Sequence, residues 1–466
     1  MRGNMGKNTV VVQNSCCSHR WHNILLFAGI IILGIVCRTV HLLGAHYYLL
    51  GTDSYYFASR SRDISNVAGE GSGLIYPVAY LPYAAYWLPV LIGVVLIGVC
   101  YRIGCHMYGK TTGWCAALIA AILPQSVYIT AAGNIDRDGY CVVLVALAIW
   151  SWWRWRDNWK WVPISLLITA ILVYTWAWPA MLIILASILL LWLVISRYER
   201  LPRVPIAIYI IVLGIVVVSA GILASERVDD LLNYLINPNG IAEMNRTDIF
   251  ALILHYGFFL LPICYGAGLV LYYHDKPGIA LLTWCVLFWV AGFYTQRVMV
   301  FAVPAVVVLA GYGFSVVIDG LQSLSSQPRL KQQFTAILCV ITLGIVGMSV
   351  YQSSQIGSYR GVAAGDNWVK ALNYLKTETP PDSVILSHWN YGKWIDCLAE
   401  REPLGGVHNM EWELLIENAY DNPVIIPALM EMSGADYFIA ESDSVGSWDI
   451  SYYYDHDGIV IYKKVD

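Results

Sequence analysis

Apolar runs recur through the first 352 residues, each long enough to cross about 30 Å of hydrocarbon as a helix, and that repetition excludes a water-soluble globule. They fall near 22–43, 80–102, 112–130, 139–153, 161–176, 178–195, 205–223, 249–272, 277–292, 297–318 and 333–352. Eleven spans are expected on this count, and thirteen if a re-entrant or broken segment hides another pair. The runs at 139–153 and 277–292 are short, and Pro179 is the only obvious break between the fifth and sixth. Composition agrees: 58% of the 466 residues are hydrophobic and 13% charged, where a soluble domain carries about 25% charged residues. Little basic surface is left for nucleic acid, and none is expected as a partner.

Loop charges orient the bundle. With the N-terminus in the cytoplasm, fourteen Lys and Arg fall inside. Six fall outside, namely Arg60, Arg62, Arg137, Arg227, Arg246 and Arg297, with Arg38 near the end of the first helix. The positive-inside rule selects this arrangement. An odd number of spans then delivers residues 353–466 to the extracytoplasmic side. The chain reads as a multi-pass cell-membrane protein with a cytoplasmic N-terminus, residues 1–352 forming a membrane domain with outer loops at 44–79, 131–138 and 224–248. Its opening segment reads as a retained signal anchor.

The last 114 residues differ in kind, holding 18 of the 32 acids but only 7 of the 28 basic residues. Asn367 to Lys376 reads as a helix ended by Pro380-Pro381; Val384 to Leu386, 436–440 and 459–463 read as strands. A small α/β domain follows from that mixture. Of eleven cysteines only Cys397 belongs to it, so no disulfide framework is implied.

Acids gather at the outer face, and four places concentrate chemistry there. Asp53, in Gly51-Thr52-Asp53-Ser54-Tyr55-Tyr56, follows the first span and reads either as a helix-capping or solvated acid or as a site carboxylate. Asp136-Arg137-Asp138 fills a very short outer connection. Two carboxylates so close repel unless a cation compensates, and a hard divalent ion is the usual solution; a cap cluster on a helix dipole is the alternative. Glu243 ends Gly240-Ile241-Ala242-Glu243 in the loop 224–248, where a solvated acid is the simpler reading. Arg297 sits at the outer end of a span, where an arginine can also snorkel. Acids, a metal and arginines at one interface suit a lipid-linked phosphate, whose departing charge they would stabilise.

In this order, along nearly the whole chain, the residues resemble those of the oligosaccharyltransferase catalytic subunit family, the membrane enzymes of protein N-glycosylation, in its archaeal and bacterial single-subunit form. The family shows an aspartate after its first span, matched by Asp53, an Asp-x-Asp motif matched by Asp136 and Asp138, and a loop motif ending in glutamate, matched by Gly240 to Glu243 with Gly240 in place of Thr or Ser. Its Trp-Trp-Asp-Tyr-Gly word is matched at three of five positions by His388-Trp389-Asn390-Tyr391-Gly392. The resemblance implies a GT-C-like fold of about 11–13 transmembrane helices with a small C-terminal extracytoplasmic α/β domain.

It also implies a metal, Mn2+ or Mg2+, on Asp53, Asp136 and Asp138, and catalytic engagement of the acceptor amide by Asp53 and Glu243. Arg297 and Arg137 would bind the donor diphosphate, and His388, Trp389, Asn390 and Tyr391 the acceptor sequon. The partners would be a polyprenyl phosphate- or diphosphate-linked oligosaccharide, a protein bearing Asn-x-Ser/Thr, and the lipid bilayer. The reaction would be an inverting, metal-dependent glycan transfer to the asparagine side chain. A protein O-mannosyltransferase or lipid A sugar transferase would explain Asp53 but not 388–392. A lipid-linked oligosaccharide transporter would instead need ionisable residues or helix breaks at mid-membrane depth.

Overall fold

The computed structural model describes residues 20–43, 49–50, 52–60, 82–155, 158, 160–175, 256–273, 275–294, 296–323, 328–355, 364–404, 415–416, 423–441, 452–456 and 458–464. Glu243, the loop 224–248 and the runs at 178–195 and 205–223 lie outside the described residues.

The described apolar runs are helices. In chain order they are α1 (Arg20–Thr39), α3 (Pro82–Tyr108), α4 (Lys110–Ile122), α6 (Arg137–Trp155), α7 (Trp161–Thr175), α8 (Leu260–Tyr272), α9 (Lys276–Tyr294), α10 (Val303–Ser323) and α11 (Pro328–Ser354). Two short helices stand among them, α2 (Thr52–Arg60) and α5 (Pro124–Tyr128). Among the described residues four segments are long and apolar enough to cross a membrane: Asn23–Leu43, Tyr86–Tyr108, Val298–Leu321 and Arg329–Ser354.

Lipid offers no hydrophobic drive between helices, so close approach relies on small residues. Helix α10 is the centre. A Cβ at Gly311 would stand 2.8 Å from the backbone nitrogen of Ala116 in α4, and one at Gly266 in α8 would stand 2.1 Å from the carbonyl oxygen of Leu309. The segment containing α10 is 72% buried, whereas that containing α11 is 6% buried and leans on the bundle from outside.

Two features depart from uninterrupted spans. The run at 112–130 is broken after Ile122, because Pro124 has no N–H to continue the α4 ladder and Leu123 is extended, at φ −62° and ψ 123°. Before α10 the chain tightens into a 3-10 segment, Gln296–Ala302. Its carbonyls take side-chain donors, Tyr256 Oη to Met299 O at 3.1 Å and Trp284 Nε1 to Phe301 O at 3.0 Å.

Beyond α11 lie α12 (Asp366–Glu378), β1 (Val384–Leu386), α13 (Trp389–Trp394), β2 (Glu402–Leu404), α14 (Ile426–Ser433), β3 (Tyr437–Glu441), β4 (Tyr452–His456) and β5 (Ile459–Lys463). The sheet order is β2-β1-β3-β5-β4, with β1 parallel to β2 and β3, and β5 antiparallel to β3 and β4. Period-2 alternation sends Ile385, Tyr437, Ile439, Ile459 and Ile461 toward α12, which answers with Trp368, Ala371, Leu372 and Leu375 on one helical stripe. Leu386, Phe438, Ala440, Val460 and Tyr462 face α14 through Ile426, Leu429 and Met430. Both faces are covered, which is why the central strands are apolar almost throughout.

Candidate active site

The site is built on the turn between α5 and α6. Its backbone is tied to three other segments: Ala132 N donates to Arg38 O, Gly133 N to Tyr86 O, and Leu50 N to Gly133 O, each at 2.9 Å. Asn134 Nδ2 closes the turn on Tyr128 O at 2.9 Å, and His41 Nε2 lies 3.2 Å from Ala132 O. Residues 131–135 are all buried, so the turn has no slack. It delivers Asp136 just before α6, half-buried, and Asp138 in the first helical turn, buried. The helix dipole favours a carboxylate at that place.

A short helix, α2, joins this turn to the sheet domain. Leu50, bonded to Gly133, also accepts the hydroxyl proton of Ser54, fixing the entry to α2. Asp53 is the second residue of that helix, so its backbone sits three residues from the Gly133 bond. Buried Tyr55 then packs edge-on against Trp394 of α13, with ring centroids 6.1 Å apart. α2 thereby enters the core on the α12 face of the sheet.

His388 precedes α13 and accepts Tyr391 N at its carbonyl, at 2.9 Å. The Tyr391 ring lies 4.1 Å from that of Trp368, and Glu441 Oε1 accepts both Tyr391 Oη at 3.3 Å and Trp368 Nε1 at 3.2 Å. Trp389 and Asn390 form the first turn of this helix. The segment 388–392 therefore opens a helix.

Of the residues singled out from the sequence, the backbone brings Asp53, Asp136, Arg137 and Asp138 to one locality. His388 to Tyr391 stand on the other side of α2. Arg297 lies on the 3-10 segment Gln296–Ala302, which packs against α6. Asp136 and Asp138 offer hard oxygen donors, the chemistry Mg2+ or Mn2+ takes. Among the described side chains no three His, Cys, Asp or Glu stand close enough to share an ion. The donor type fits a divalent metal, and Asp53 lies three residues along the chain from Leu50, which bonds to the turn.

Three residues that sequence reasoning missed shape the site. Glu441 carried one signal, a carboxylate ending the apolar strand YFIA. Trp368 and Tyr55 carried none, because their role depends on a tertiary meeting.

This architecture, a polytopic helical bundle followed by a C-terminal sheet, has the fold of GT-C membrane glycosyltransferases. The pattern of the dolichyl-phosphate-mannose-protein mannosyltransferase family matches residues 82–223. By sequence the chain is 23% identical over 230 residues to dolichyl-phosphooligosaccharide-protein glycotransferase 3 of Archaeoglobus fulgidus, a match spanning 41% of this chain and 25% of that protein. By structure it is similar to the archaeal oligosaccharyltransferase AglB from Archaeoglobus fulgidus in complex with an inhibitory peptide and a dolichol-phosphate. There the TM-score is 0.72 at 15% identity, covering 91% of this chain and 70% of that one. It is also similar to ArnT from Cupriavidus metallidurans bound to undecaprenyl phosphate, with TM-score 0.62 at 12% identity, 96% of this chain and 98% of that one. The chain is thus similar in fold, and over part of its sequence, to archaeal oligosaccharyltransferases, and its match spans a quarter of the length of the curated relative.

Proposed function

We propose that the protein transfers an oligosaccharide from a polyprenyl phosphate or diphosphate donor to the side-chain nitrogen of Asn in Asn-x-Ser/Thr, at the outer face of a membrane. The observation that carries this reading is α2: it is hydrogen-bonded through Leu50 to the turn that bears Asp136 and Asp138, and packed through Tyr55 against the helix that opens with Trp389. A lipid-borne donor and a peptide acceptor need such a meeting place, where proximity alone removes much of the barrier.

The amide nitrogen is a poor nucleophile because its lone pair is delocalised. Asp53 and Glu243 would accept its N–H groups and weaken that delocalisation. The nitrogen attacks the anomeric carbon, the carbon–oxygen bond to phosphate breaks on the opposite face, and the nitrogen loses a proton. Asp53, Asp136 and Asp138 would hold a divalent cation, Mn2+ or Mg2+, which when bound neutralises charge on the departing phosphate. Arg137 and Arg297 would bind the same phosphates, and His388, Trp389, Asn390 and Tyr391 the sequon hydroxyl. In this reading residues 1–352, with outer loops 44–79, 131–138 and 224–248, form the catalytic membrane domain, the N-terminus is cytoplasmic, and residues 353–466, carrying the sequon-binding segment, are extracytoplasmic.

Purified protein given lipid-linked glycan, a fluorescent Asn-x-Thr peptide and Mn2+ or Mg2+ should yield glycopeptide. An Asn-x-Ala peptide or added chelator should abolish it. Product on Ser or Thr, or on a lipid acceptor, would instead favour O-mannosyl or lipid A sugar transfer, the reading supported by the mannosyltransferase pattern at 82–223 and by the near-complete overlap with ArnT.

A further inference from the structure

Arg38, in the last turn of α1, is fully buried inside the bundle. A guanidinium has five N–H groups, and here five bonds are made. Nε donates to Thr130 Oγ1 at 2.7 Å, Nη1 to Gly34 O at 2.9 Å and to Ala121 O at 3.0 Å, and Nη2 to Ala120 O at 3.2 Å and to Ser126 Oγ at 3.1 Å. Every acceptor is neutral.

The targets explain why a buried charge is tolerated. Ala120 O has lost its helical donor because Pro124 stands four residues on, and Ala121 O lies at the same break. Arg38 caps both. Its own carbonyl accepts Ala132 N, so side chain and main chain of one residue hold the path from Ala120 to Ala132. The cradle is built to size, since a Cβ at Gly93 would stand 2.1 Å from Arg38 Nε. Contact then passes to the acids: a Cβ at Gly139 would stand 2.5 Å from Ile129 O and 3.3 Å from Thr130 Cγ2, so the residue following Asp138 rests directly on the turn that Arg38 holds.

The geometry points to Arg38 as the positioning residue for Asp136 and Asp138, fixing through Thr130 and the Ala132 amide the spacing at which the two carboxylates meet a divalent cation. The metal part of this assignment rests on the reading proposed above; the positioning of the turn does not.

The test uses the full chain in detergent, wild type against Arg38→Lys, which cannot form the fork, and the milder Thr130→Val, which removes one acceptor. Mn2+ affinity is read by electron paramagnetic resonance, and amide hydrogen exchange over 129–139 against exchange over 366–404. Both variants should weaken Mn2+ binding about 10- to 100-fold, the range for supporting residues of metal ligands, and speed exchange over 129–139 only, with Thr130→Ser restoring both. Wild-type Mn2+ affinity in a variant whose 129–139 exchange is accelerated would overturn the assignment, as would unchanged exchange or equal acceleration everywhere. If wild type binds no Mn2+, the metal reading fails, and the exchange data alone decide whether Arg38 positions the turn.

Discussion

Replacing Gly139 with alanine would put a methyl group 2.5 Å from the carbonyl oxygen of Ile129 and 3.3 Å from Thr130 Cγ2. The first of these is a backbone atom held in a buried turn, so it cannot swing aside. Restoring ordinary contact requires the start of α6 to retreat by about 1 Å, an overpacking strain of about 1–3 kcal/mol. Alanine returns up to about 1 kcal/mol of helix propensity, leaving a net loss of about 0–2 kcal/mol. A 1 Å displacement at a catalytic constellation costs about 100-fold in rate, so turnover should fall much further than stability. The assay pairs thermal unfolding in detergent with glycopeptide formation at saturating peptide. Gly98→Ala on α3, where a Cβ meets nothing within 4 Å, is the matched control; it should leave turnover within error and stability unchanged or raised by up to about 1 kcal/mol. Wild-type turnover by Gly139→Ala would show that the contact between α6 and Ile129 does not set the position of Asp138.

Asp138→Asn preserves shape and removes charge; it should lower transfer by at least about 100-fold with unchanged unfolding temperature, measured in the same peptide assay. Glu441→Ala releases Trp368 and Tyr391, whose bonds of 3.2 and 3.3 Å are long for a carboxylate; losing about 1.4 kcal/mol corresponds to about a tenfold rise in peptide KM, with kcat nearly constant. Tyr55→Ala removes a side chain 1% exposed between α2 and α13. It should cost about 3 kcal/mol, seen as protease cleavage near α2 under conditions where wild type resists.

The bundle was legible because the apolar runs announce themselves, and Val384–Leu386, Tyr437–Glu441 and Ile459–Lys463 emerged close to where alternation and turn residues put them. Other elements were not. β2, with the sequence EPL, has neither alternation nor length and exists because it lies beside β1. The break at Leu123 turned one expected span into two helices at a single proline within an unbroken apolar stretch. At the site, the spacing of Asp136 and Asp138 was readable, since both flank one arginine. The Leu50–Gly133 bond was not, because a contact between residues 83 positions apart leaves no local trace. The burial of Arg38 was unreadable for a related reason: a place near a span's end says nothing of which way the helix face turns.

Because nine residues of α2 are gripped on one flank by the membrane bundle and on the other by the sheet domain, the two halves of the molecule do not have separable tolerances. A substitution on the Leu50 flank and another on the Trp394 flank lean on the same small lever. Double mutants across it should deviate from additivity despite their separation in the chain.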